Sequence, residues 1–357
     1  MRILLIHTAL DTGGIETFVA SLANELSSQG HEVHVCSIFE PQKDAVCWNR
    51  LNEKIIRHTL GKHKCGFSIK ETLKVYRLIR QLHPDVVHVQ GFIAYYALSV
   101  LLLHRKVRFI YTVHNDAAKE GNQWDERLYK IKKWLFVHQW AAAVTISKES
   151  DTSFVSYYGD CKRTLIYNGI CLPSCKKTKK DEMLFINPGR ITEQKNQVML
   201  CRVFDRLVKE GQPVRLLIAG DKQDEAIFAQ MQPYFGSQLE YIGCRSDIPQ
   251  LMAKAGAMCL PSLWEGMPIT LLEALAYGCI PICTPVGGIK DVLIDGENGL
   301  LTTQVDEEEY YQKVLQYIQL TDTQRAQMRE QARQTAEQFS MEQTAKQYLR
   351  LYNQKEL

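Results

Sequence analysis

Two spacings of apolar residues alternate along the chain. Compact or alternating apolar runs predict strands at Arg2–His7 (RILLIH) and His31–Phe39 (HEVHVCSIF), and the segment between them, about Ile15 to Gln29, has the apolar spacing of a helix. Strand, loop, helix and strand form a βαβ unit. In such a unit the loop after the first strand lies at the carboxyl edge of the sheet, where ligands bind.

The same alternation continues through both halves of the chain. Further strands are predicted at Asp85–Gln90, Arg108–Val113, Ala142–Ile146, Met183–Asn187, Arg215–Gly220, Leu239–Gly243, Ala257–Leu260 and Ile280–Cys283. Further helical segments are predicted at Ile69–Gln81, Phe92–His104, Gly121–Gln139, Ile269–Tyr277 and Phe339–Tyr352. The order predicts two doubly wound α/β domains facing a cleft, with the polar, lysine-rich residues 171–182 as their linker.

Composition is that of a globular protein, with 45% hydrophobic and 23% charged residues in 357. The chain opens on a strand rather than a secretory signal, and its 11 cysteines include no CxxC pair, so we expect a cytoplasmic protein with reduced thiols. The longest apolar run, Phe92–Leu103, is too short to cross a bilayer. His, Cys and carboxylate residues show no zinc-ligand spacing.

Charge differs between the halves. Residues 1–180 contain 26 Lys and Arg against 16 Asp and Glu, whereas the remainder contains 17 against 24. A basic first half fits an anionic partner, such as the inner face of a cell membrane met peripherally, and it equally fits plain solvated surface. The Trp-rich, basic segment 121–140 could likewise face a lipid headgroup or an acceptor, or simply pack against the protein. No nucleic-acid-binding module is present, so we expect no nucleic acid partner.

Two glutamates, Glu265 and Glu273, mark the segment with the clearest candidate chemistry. Gly-Met-Pro after Glu265 predicts a turn that opens a helix, and Glu273 lies about two helical turns further on. Main-chain N–H groups at the helix start are unpaired and favour an anion. Two carboxylates beside such amides can hold hydroxyls and a phosphate together, and a nucleotide sugar presents both groups.

This segment resembles the signature of retaining glycosyltransferases of the GT-B fold, especially glycosyltransferase family 4. That signature is Glu, seven residues, Glu, usually with Gly after the first and Ala after the second, and here Gly266 and Ala274 fill those places. The family usually has Glu three residues beyond the following Gly-Gly pair, where this chain has Asp291. The resemblance implies an acceptor-binding domain over 1–172, a nucleotide-sugar-binding domain over 173–337, and a helix in 338–357 that returns to the first domain.

Three further segments resemble the family. The loop Gly13-Gly14-Ile15-Glu16 lacks the GxGxxG spacing of a dinucleotide site, which argues against a dehydrogenase, and it is similar to the family's loop after the first strand. Arg190 and Lys195 resemble its Gly-Arg-…-Lys loop. His114, just past a predicted strand, resembles its active-site histidine, and a structural histidine is the less favoured alternative.

The resemblance implies a role for each matching residue. Arg190 and Lys195 hold the diphosphate, whose negative charge grows as the glycosidic bond breaks, and His114 and Glu265 contact the donor sugar. The other implied donor contacts are Gly14, Ile242, Gly243, Cys244, Gly266, Met267, Pro268, Ile269 and Glu273, the last on the ribose. The implied acceptor contacts are Gly13 and Glu16. From sequence alone we expect alanine at Glu265 or Lys195 to abolish most activity and leave the fold intact.

The resemblance therefore predicts an enzyme that moves a sugar, with retention, from a UDP-linked nucleoside diphosphate sugar to a hydroxyl of a glycan or lipid-linked acceptor. A capsule, exopolysaccharide or lipopolysaccharide pathway is the expected context. Because the chain contains no Asp-x-Asp, we expect no essential metal, and we expect no cofactor. A nucleotide-sugar 2-epimerase on the same fold, a non-catalytic nucleotide-sugar-binding subunit and a scaffolding protein remain alternatives.

Overall fold

The computed structural model describes residues 1–42, 45–63, 68–90, 97–117, 126–174 and 178–354. The chain divides into two compact units. Unit 1 comprises Met1–Cys171 with Met341–Leu357, and unit 2 comprises Leu172–Ser340. The divisions fall after residues 171 and 340, against the boundaries after 172 and 337 expected from the sequence.

Strands and helices alternate through both units. The strands are β1 Arg2–His7, β2 Glu32–Phe39, β3 Ile56–Lys62, β4 Val86–Gln90, β5 Arg108–Val113, β6 Ala142–Thr145, β7 Arg163–Leu165, β8 Asp181–Pro188, β9 Arg215–Ala219, β10 Leu239–Tyr241, β11 Ala255–Leu260, β12 Ile280–Cys283 and β13 Leu300–Leu301. The helices are α1 Gly14–Ser28, α2 Val46–Asn49, α3 Ile69–Leu82, α4 Ala97–Leu103, α5 Glu126–Val137, α6 Lys148–Tyr158, α7 Gln197–Lys209, α8 Glu225–Met231, α9 Ile248–Lys254, α10 Ile269–Ala276, α11 Ile289–Val292, α12 Glu307–Gln319, α13 Asp322–Gln338 and α14 Met341–Asn353.

Unit 1 is built on a parallel sheet that, within the described residues, has seven strands in the order β3-β2-β1-β4-β5-β6-β7. The central strands β1, β4 and β5 are almost entirely buried, as expected for parallel strands covered by helices on both faces. Helix α14 packs against α1, with Tyr348 and Tyr352 fully or nearly fully buried. The last helix of the chain is therefore part of the first unit.

Several predictions for unit 1 need correction. The sequence showed no strand between residues 41 and 68, yet β3 lies at Ile56–Lys62, because it is an edge strand with a largely polar, exposed sequence and no clear alternation. The short α2 and β7 were missed as well. Of the helix predicted over 92–104, the described part is α4, and residues 92–96 lie outside the described residues, as does Trp124.

Unit 2 repeats the architecture with a parallel sheet of six described strands in the order β10-β9-β8-β11-β12-β13. Strand β11 is buried at every residue, and the aromatic side chains of Phe185, Phe204 and Tyr317 pack edge-on beneath the sheet. Strand β8 begins at Asp181, so the segment predicted as a linker ends in regular structure. Across the described residues, no helix is both long enough and apolar enough to span a bilayer.

The sequence-based fold class is confirmed, since each unit is a parallel, Rossmann-like sheet covered by helices. Strand order reverses once in each sheet, between β1 and β4 in unit 1 and between β8 and β11 in unit 2. In open α/β sheets, ligands bind at the carboxyl ends of the strands that flank such a reversal.

Candidate active site

The reversal in unit 2 brings together the two loops that carry most of the predicted site residues. The loop after β8 contains Arg190 and Lys195, and the loop after β11 contains Glu265. Since β8 and β11 are hydrogen-bonded neighbours, their carboxyl ends lie side by side although 70 residues separate Lys195 from Glu265.

Backbone and amide hydrogen bonds hold these two loops against each other. The Leu263 N–H donates to the carbonyl of Gln194 at 2.8 Å, and the side-chain amide of Gln194 donates back to the carbonyl of Trp264 at 2.8 Å. The Asn196 amide donates to the Pro261 carbonyl at 3.2 Å. The loops therefore form one rigid platform.

Lys195 and Glu265 form an ion pair at the centre of this platform. Lys195 Nζ lies 2.6 Å from Glu265 Oε1, and the Ser262 hydroxyl donates to the same oxygen at 2.6 Å. The Lys195 side chain is only 14% exposed and the Glu265 side chain only 6%. Among the described residues no protein donor reaches Glu265 Oε2, so that oxygen can accept a hydrogen bond from a ligand hydroxyl.

Arg190 differs from Lys195 in its surroundings. Its side chain is exposed, and the described part of the chain offers its guanidinium no hydrogen-bond or ion-pair partner. Its carbonyl accepts the Gln197 side-chain amide at 2.9 Å, which fixes the main chain below it. A guanidinium on a fixed backbone with unused donors can bind a phosphate bidentately.

The start of α10 supplies further donors. The N–H groups of Ile269 and Thr270 have no acceptor within the described residues, as expected in the first turn of a helix. Glu273, about one turn along α10, is partly exposed and its main-chain carbonyl accepts the Tyr277 N–H at 2.9 Å. The helix end and Glu265 thus lie in one continuous segment with Gly266, Met267 and Pro268 between them.

The glycine turn after β12 supports this segment. Gly288 N–H donates to the Gly266 carbonyl at 2.6 Å. Gly287 has φ of +56°, and a Cβ there would lie 2.1 Å from the Glu265 carbonyl oxygen. Glycine is therefore required at position 287 by its positive φ and by close backbone approach to the Glu265 loop.

The predicted base-contacting turn lies after β10 at the same sheet edge. Ile242 N–H donates to Ile218 at 2.9 Å, and the Gly243 carbonyl accepts the Gly220 N–H at 2.9 Å. Gly243 adopts φ of +74°, and Cys244 is exposed. The turn is anchored to its neighbour by its main chain, and its outer residue is accessible to a ligand.

In unit 1 the loop after β1 places Glu16 over Gly13. A Cβ on Gly13 would lie 2.3 Å from Glu16 Oε2, so the Glu16 carboxylate lies directly against the Gly13 backbone. Gly14 opens α1, and Thr17 holds the turn by donating to the Gly13 carbonyl at 2.7 Å. His7, at the end of β1, lies 3.6 Å from the Glu16 carboxylate.

A buried chain of hydrogen bonds connects this loop to His114 and to the last helix. His7 Nδ1 donates to the Gln90 carbonyl at 2.7 Å, and His114 Nε2 donates to Gln90 Oε1 at 2.5 Å. With the amide so oriented, Gln90 Nε2 donates to His88 Nε2 at 2.8 Å, and His88 Nδ1 donates to the Tyr352 hydroxyl at 2.7 Å. Helix α14 is thereby tied to the histidine predicted to contact the sugar.

Burial lowers the pKa of His88 to about 3, and burial together with neighbouring His7 and His88 lowers that of His114 to about 3. Both imidazoles are therefore neutral at neutral pH. In the orientation described, Gln90 fixes the proton of His114 on Nε2 and leaves the Nδ1 lone pair as a hydrogen-bond acceptor.

The structure thus gathers Arg190, Lys195, Glu265 and the start of α10 in unit 2, and Gly13, Glu16 and His114 in unit 1. Sequence reasoning missed three supporting groups, which are His7, Gln90 and Ser262. His7 and Gln90 are the last residues of β1 and β4, and polar residues ending buried strands at a reversal could have been noticed. Ser262 has no sequence signal beyond its place in the Pro-Ser dipeptide.

Comparisons with known proteins identify the family and the fold. The family model described as Glycosyltransferase Family 4 matches residues 12–172, and that described as Glycosyl transferases group 1 matches residues 174–335. A GalNAc-alpha-(1->4)-GalNAc-alpha-(1->3)-diNAcBac-PP-undecaprenol alpha-1,4-N-acetyl-D-galactosaminyltransferase of Campylobacter jejuni is 25% identical over 98% of both chains. A UDP-Gal:alpha-D-GlcNAc-diphosphoundecaprenol alpha-1,3-galactosyltransferase of Escherichia coli is 24% identical over 65% of this chain and 66% of its own.

Solved structures share the fold over the whole chain. Alr3699/HepE of Anabaena, solved in complex with UDP-glucose, superimposes with a TM-score of 0.80 at 18% identity, covering 98% of this chain and 99% of that one. The two family models together span nearly all of the sequence, and both units have the expected parallel sheets. The chain belongs to glycosyltransferase family 4, the group 1 glycosyltransferases, and has their GT-B fold.

Proposed function

We propose that this glycosyltransferase transfers a sugar, with retention of anomeric configuration, from a UDP-sugar to a hydroxyl of a glycan or lipid-linked acceptor in cell-surface polysaccharide synthesis. The observation that carries the donor half of the proposal is the platform in unit 2. There a buried Lys195–Glu265 pair, an exposed Arg190 and the open start of α10 lie on loops at the strand reversal.

Each group has a role that suits its surroundings. Arg190 binds the diphosphate through its unused donors, and Lys195 adds a fixed positive charge beside it. Glu265 Oε2 accepts a hydrogen bond from a hydroxyl of the donor sugar, and the backbone of residues 266–269 surrounds that sugar. Glu273 accepts hydrogen bonds from the ribose hydroxyls, and the main chain of residues 242–244 contacts the base.

The reaction we propose is front-face attack. The bond from the anomeric carbon to the phosphate oxygen breaks, the acceptor oxygen bonds to the same face, and the acceptor proton passes to the leaving diphosphate. The charge that develops on the diphosphate is stabilised by Arg190, Lys195 and the helix start, because preorganised cations and amides act where the charge appears. Because these groups neutralise the diphosphate charge that a metal ion would otherwise neutralise, we propose that neither a metal nor a cofactor is required.

The acceptor half of the proposal rests on relatives and on unit 1. The Campylobacter and Escherichia coli proteins are both named for acceptors linked through diphosphate to undecaprenol. Gly13 and Glu16 form a short glycine loop with a carboxylate that can receive an acceptor hydroxyl. His114, neutral and oriented by Gln90, contacts the donor sugar from this unit. A lipid-linked acceptor would be met at the inner face of a cell membrane, so peripheral membrane contact is part of the proposal.

A donor-binding panel tests the proposal first. Thermal unfolding is followed with UDP, GDP and ADP sugars, with and without EDTA, because a ligand that binds the folded state raises its stability. We expect a rise with a UDP-sugar that EDTA leaves unchanged. A rise that disappears with EDTA and returns with magnesium would refute metal independence, and a rise only with GDP- or ADP-sugars would refute the UDP donor.

Arg190→Met is the sharpest variant for this panel, because the side chain has no partner to lose. We expect the unliganded protein to unfold at the wild-type temperature and the donor Kd to rise about 10- to 100-fold, the loss of a charge-assisted bond to phosphate. Lys254→Met, which removes another exposed cation of unit 2, is the matched control and should change neither. Transfer to an undecaprenyl-diphosphate-linked glycan, with the product anomer assigned by NMR, then tests retention and acceptor class.

A further inference from the structure

Exposed apolar side chains are concentrated on three neighbouring helices of unit 1. In the described part of the chain eleven large apolar side chains are exposed, and seven of them lie on α3, α4 and α5. These seven are Ile69, Leu73, Leu101, Leu102, Ile131, Trp134 and Val137, and together with the basic residues given below they define the α3–α5 face.

The topology places the three helices on the same side of the sheet. The connections that contain α3, α4 and α5 all run toward the β7 edge, whereas those that contain α1 and α2 run toward the β3 edge. Because crossovers between parallel strands are right-handed, the two sets cover opposite faces. Direct contacts of α4 with both α3 and α5 agree with this assignment.

Aromatic contacts make the apolar surface continuous between α4 and α5. His104, directly after α4, stacks on Trp140 with ring centroids 3.6 Å apart, and Trp140 meets Trp134 edge-on at 4.5 Å. On α5, Leu135 and Phe136 are buried in the core, whereas Ile131 and Trp134 remain exposed. The solvent-exposed part of α5 therefore carries apolar side chains that do not contribute to the core.

The same face is basic. Its exposed charged residues are Lys70, Arg77, Arg80, Arg105, Lys106 and Lys130. Among the described side chains of the three helices the single carboxylate is Glu71, which is buried at 7% exposure. Since the helices run parallel, Arg80, Arg105 and Lys106 gather at their common carboxyl end.

We propose that the α3–α5 face docks on an anionic phospholipid bilayer. A surface that combines exposed leucine, valine and tryptophan with exposed lysine and arginine matches the boundary of such a bilayer, where apolar side chains enter between headgroups and cations meet lipid phosphates. A second copy of the chain fits less well, because a two-fold dimer through this face would set positive charge against positive charge. The inference rests on the proposed function, since docking brings the protein to a lipid-linked acceptor.

Vesicle co-sedimentation of the full chain tests the docking. Vesicles of phosphatidylcholine with about one third phosphatidylglycerol are compared with phosphatidylcholine alone, at low and high salt. We expect binding to the anionic vesicles only, weakened by salt. Trp134 fluorescence should be quenched by brominated lipids, and Trp134→Phe should remove most of that quenching. Absence of binding to anionic vesicles overturns the proposal.

Paired variants assign the binding to this face. Arg105→Glu with Lys106→Glu should weaken partitioning at least about tenfold, because each cation contributes roughly fivefold at an anionic surface. Leu102→Ser with Val137→Ser removes the most exposed apolar groups of α4 and α5, at 57% and 52%, and should weaken it about fivefold. The matched controls are Ile294→Ser, exposed at 55% in unit 2, and Lys254→Glu, which should change nothing.

Three outcomes contradict the proposal and are separable from failure of the proposed function. Binding that the controls weaken as much as the face variants would place the membrane contact elsewhere. Self-association in sedimentation velocity that the face variants abolish would identify a second copy as the occupant. A neutral-lipid preference would remove the role of the cations. Donor binding by thermal shift tests the proposed function separately and should be unchanged in every face variant, so a wild-type protein that binds the donor but not anionic vesicles would refute the surface only.

Discussion

Breaking the Lys195–Glu265 pair should destabilise unit 2 far more than breaking an ion pair on its surface. Lys195 Nζ and Glu265 Oε1 are 2.6 Å apart with little exposure, so removing one partner leaves the other charge in a poorly solvated site. Such losses cost about 3–5 kcal/mol when burial is complete. Since Lys195 keeps 14% exposure, we expect about 2–4 kcal/mol for Lys195→Met and for Glu265→Gln.

A double-mutant cycle separates the interaction from the loss of each side chain. Lys195→Met with Glu265→Gln leaves no charge to desolvate, so its cost should be close to that of one single variant. The coupling energy should then reach at least about 1.5 kcal/mol, well above the additivity error of about 0.5 kcal/mol. In thermal unfolding, about 3 kcal/mol corresponds to a fall of roughly 6–12 °C for a domain of this size.

The matched control is the Lys209–Asp205 pair on α7 of the same unit. Its atoms are equally close, at 2.7 Å, but Lys209 is 73% exposed. Exposed pairs contribute little to stability because solvent screens them, so Lys209→Met should leave the unfolding temperature almost unchanged. The argument from burial is wrong if the losses of stability in Lys195→Met and Glu265→Gln simply add in the double variant. It is also wrong if either single variant lowers the stability no more than Lys209→Met does.

Three further predictions concern the buried groups around the site. Gln90→Leu should cost about 2–4 kcal/mol in urea unfolding, because it deprives both His114 and His88 of a hydrogen-bond partner, and it should raise the donor KM or lower kcat. The free energy of unfolding should fall as the pH drops from about 6 to about 4. In the unfolded chain His88 and His114 bind protons with a pKa near 6.5, whereas in the folded protein, with pKa values of about 3, they stay neutral. His88→Gln should reduce this pH dependence by up to about 1.4 kcal/mol per pH unit. Gly287→Ala should displace the Glu265 loop, with lower activity and a loss of more than about 1 kcal/mol, and wild-type activity would contradict the reading of its 2.1 Å contact.

The order of strands and helices could be read from the sequence because most strands are buried and apolar. Strand β11 and the Glu265 segment were recognised together, since a buried strand, a Gly-x-Pro turn and a helix follow one another without interruption. Edge strands could not be recognised in this way. Among the described strands, Ile56–Lys62 pairs with β2 alone, and its sequence alternates poorly, so its strand character depends on a neighbour distant in sequence.

Residue identities in the candidate site were predictable, but their partners were not. A motif read along the chain gives Lys195 and Glu265 separate roles and implies that each can be removed without harm to the fold. The structure pairs them, because strands β8 and β11 are neighbours and bring positions 70 residues apart to one edge. The same limit hid Gln90, whose function depends on lying between His88 and His114 on adjacent strands.

The two oxygens of Glu265 show what the pairing adds to the motif. Oε1 receives both Lys195 Nζ and the Ser262 hydroxyl at 2.6 Å, so the carboxylate cannot rotate without losing two hydrogen bonds. Oε2 is thereby held as an acceptor whose orientation is set before any ligand arrives, which lowers the ordering cost of binding a sugar hydroxyl. Lys195 gains as well, because the carboxylate holds its ammonium on the loop beside Arg190. The cation that would stabilise a departing diphosphate and the carboxylate that would hold the sugar thus position one another. The chemical value of a glutamate eight positions before another one therefore depends on that lysine.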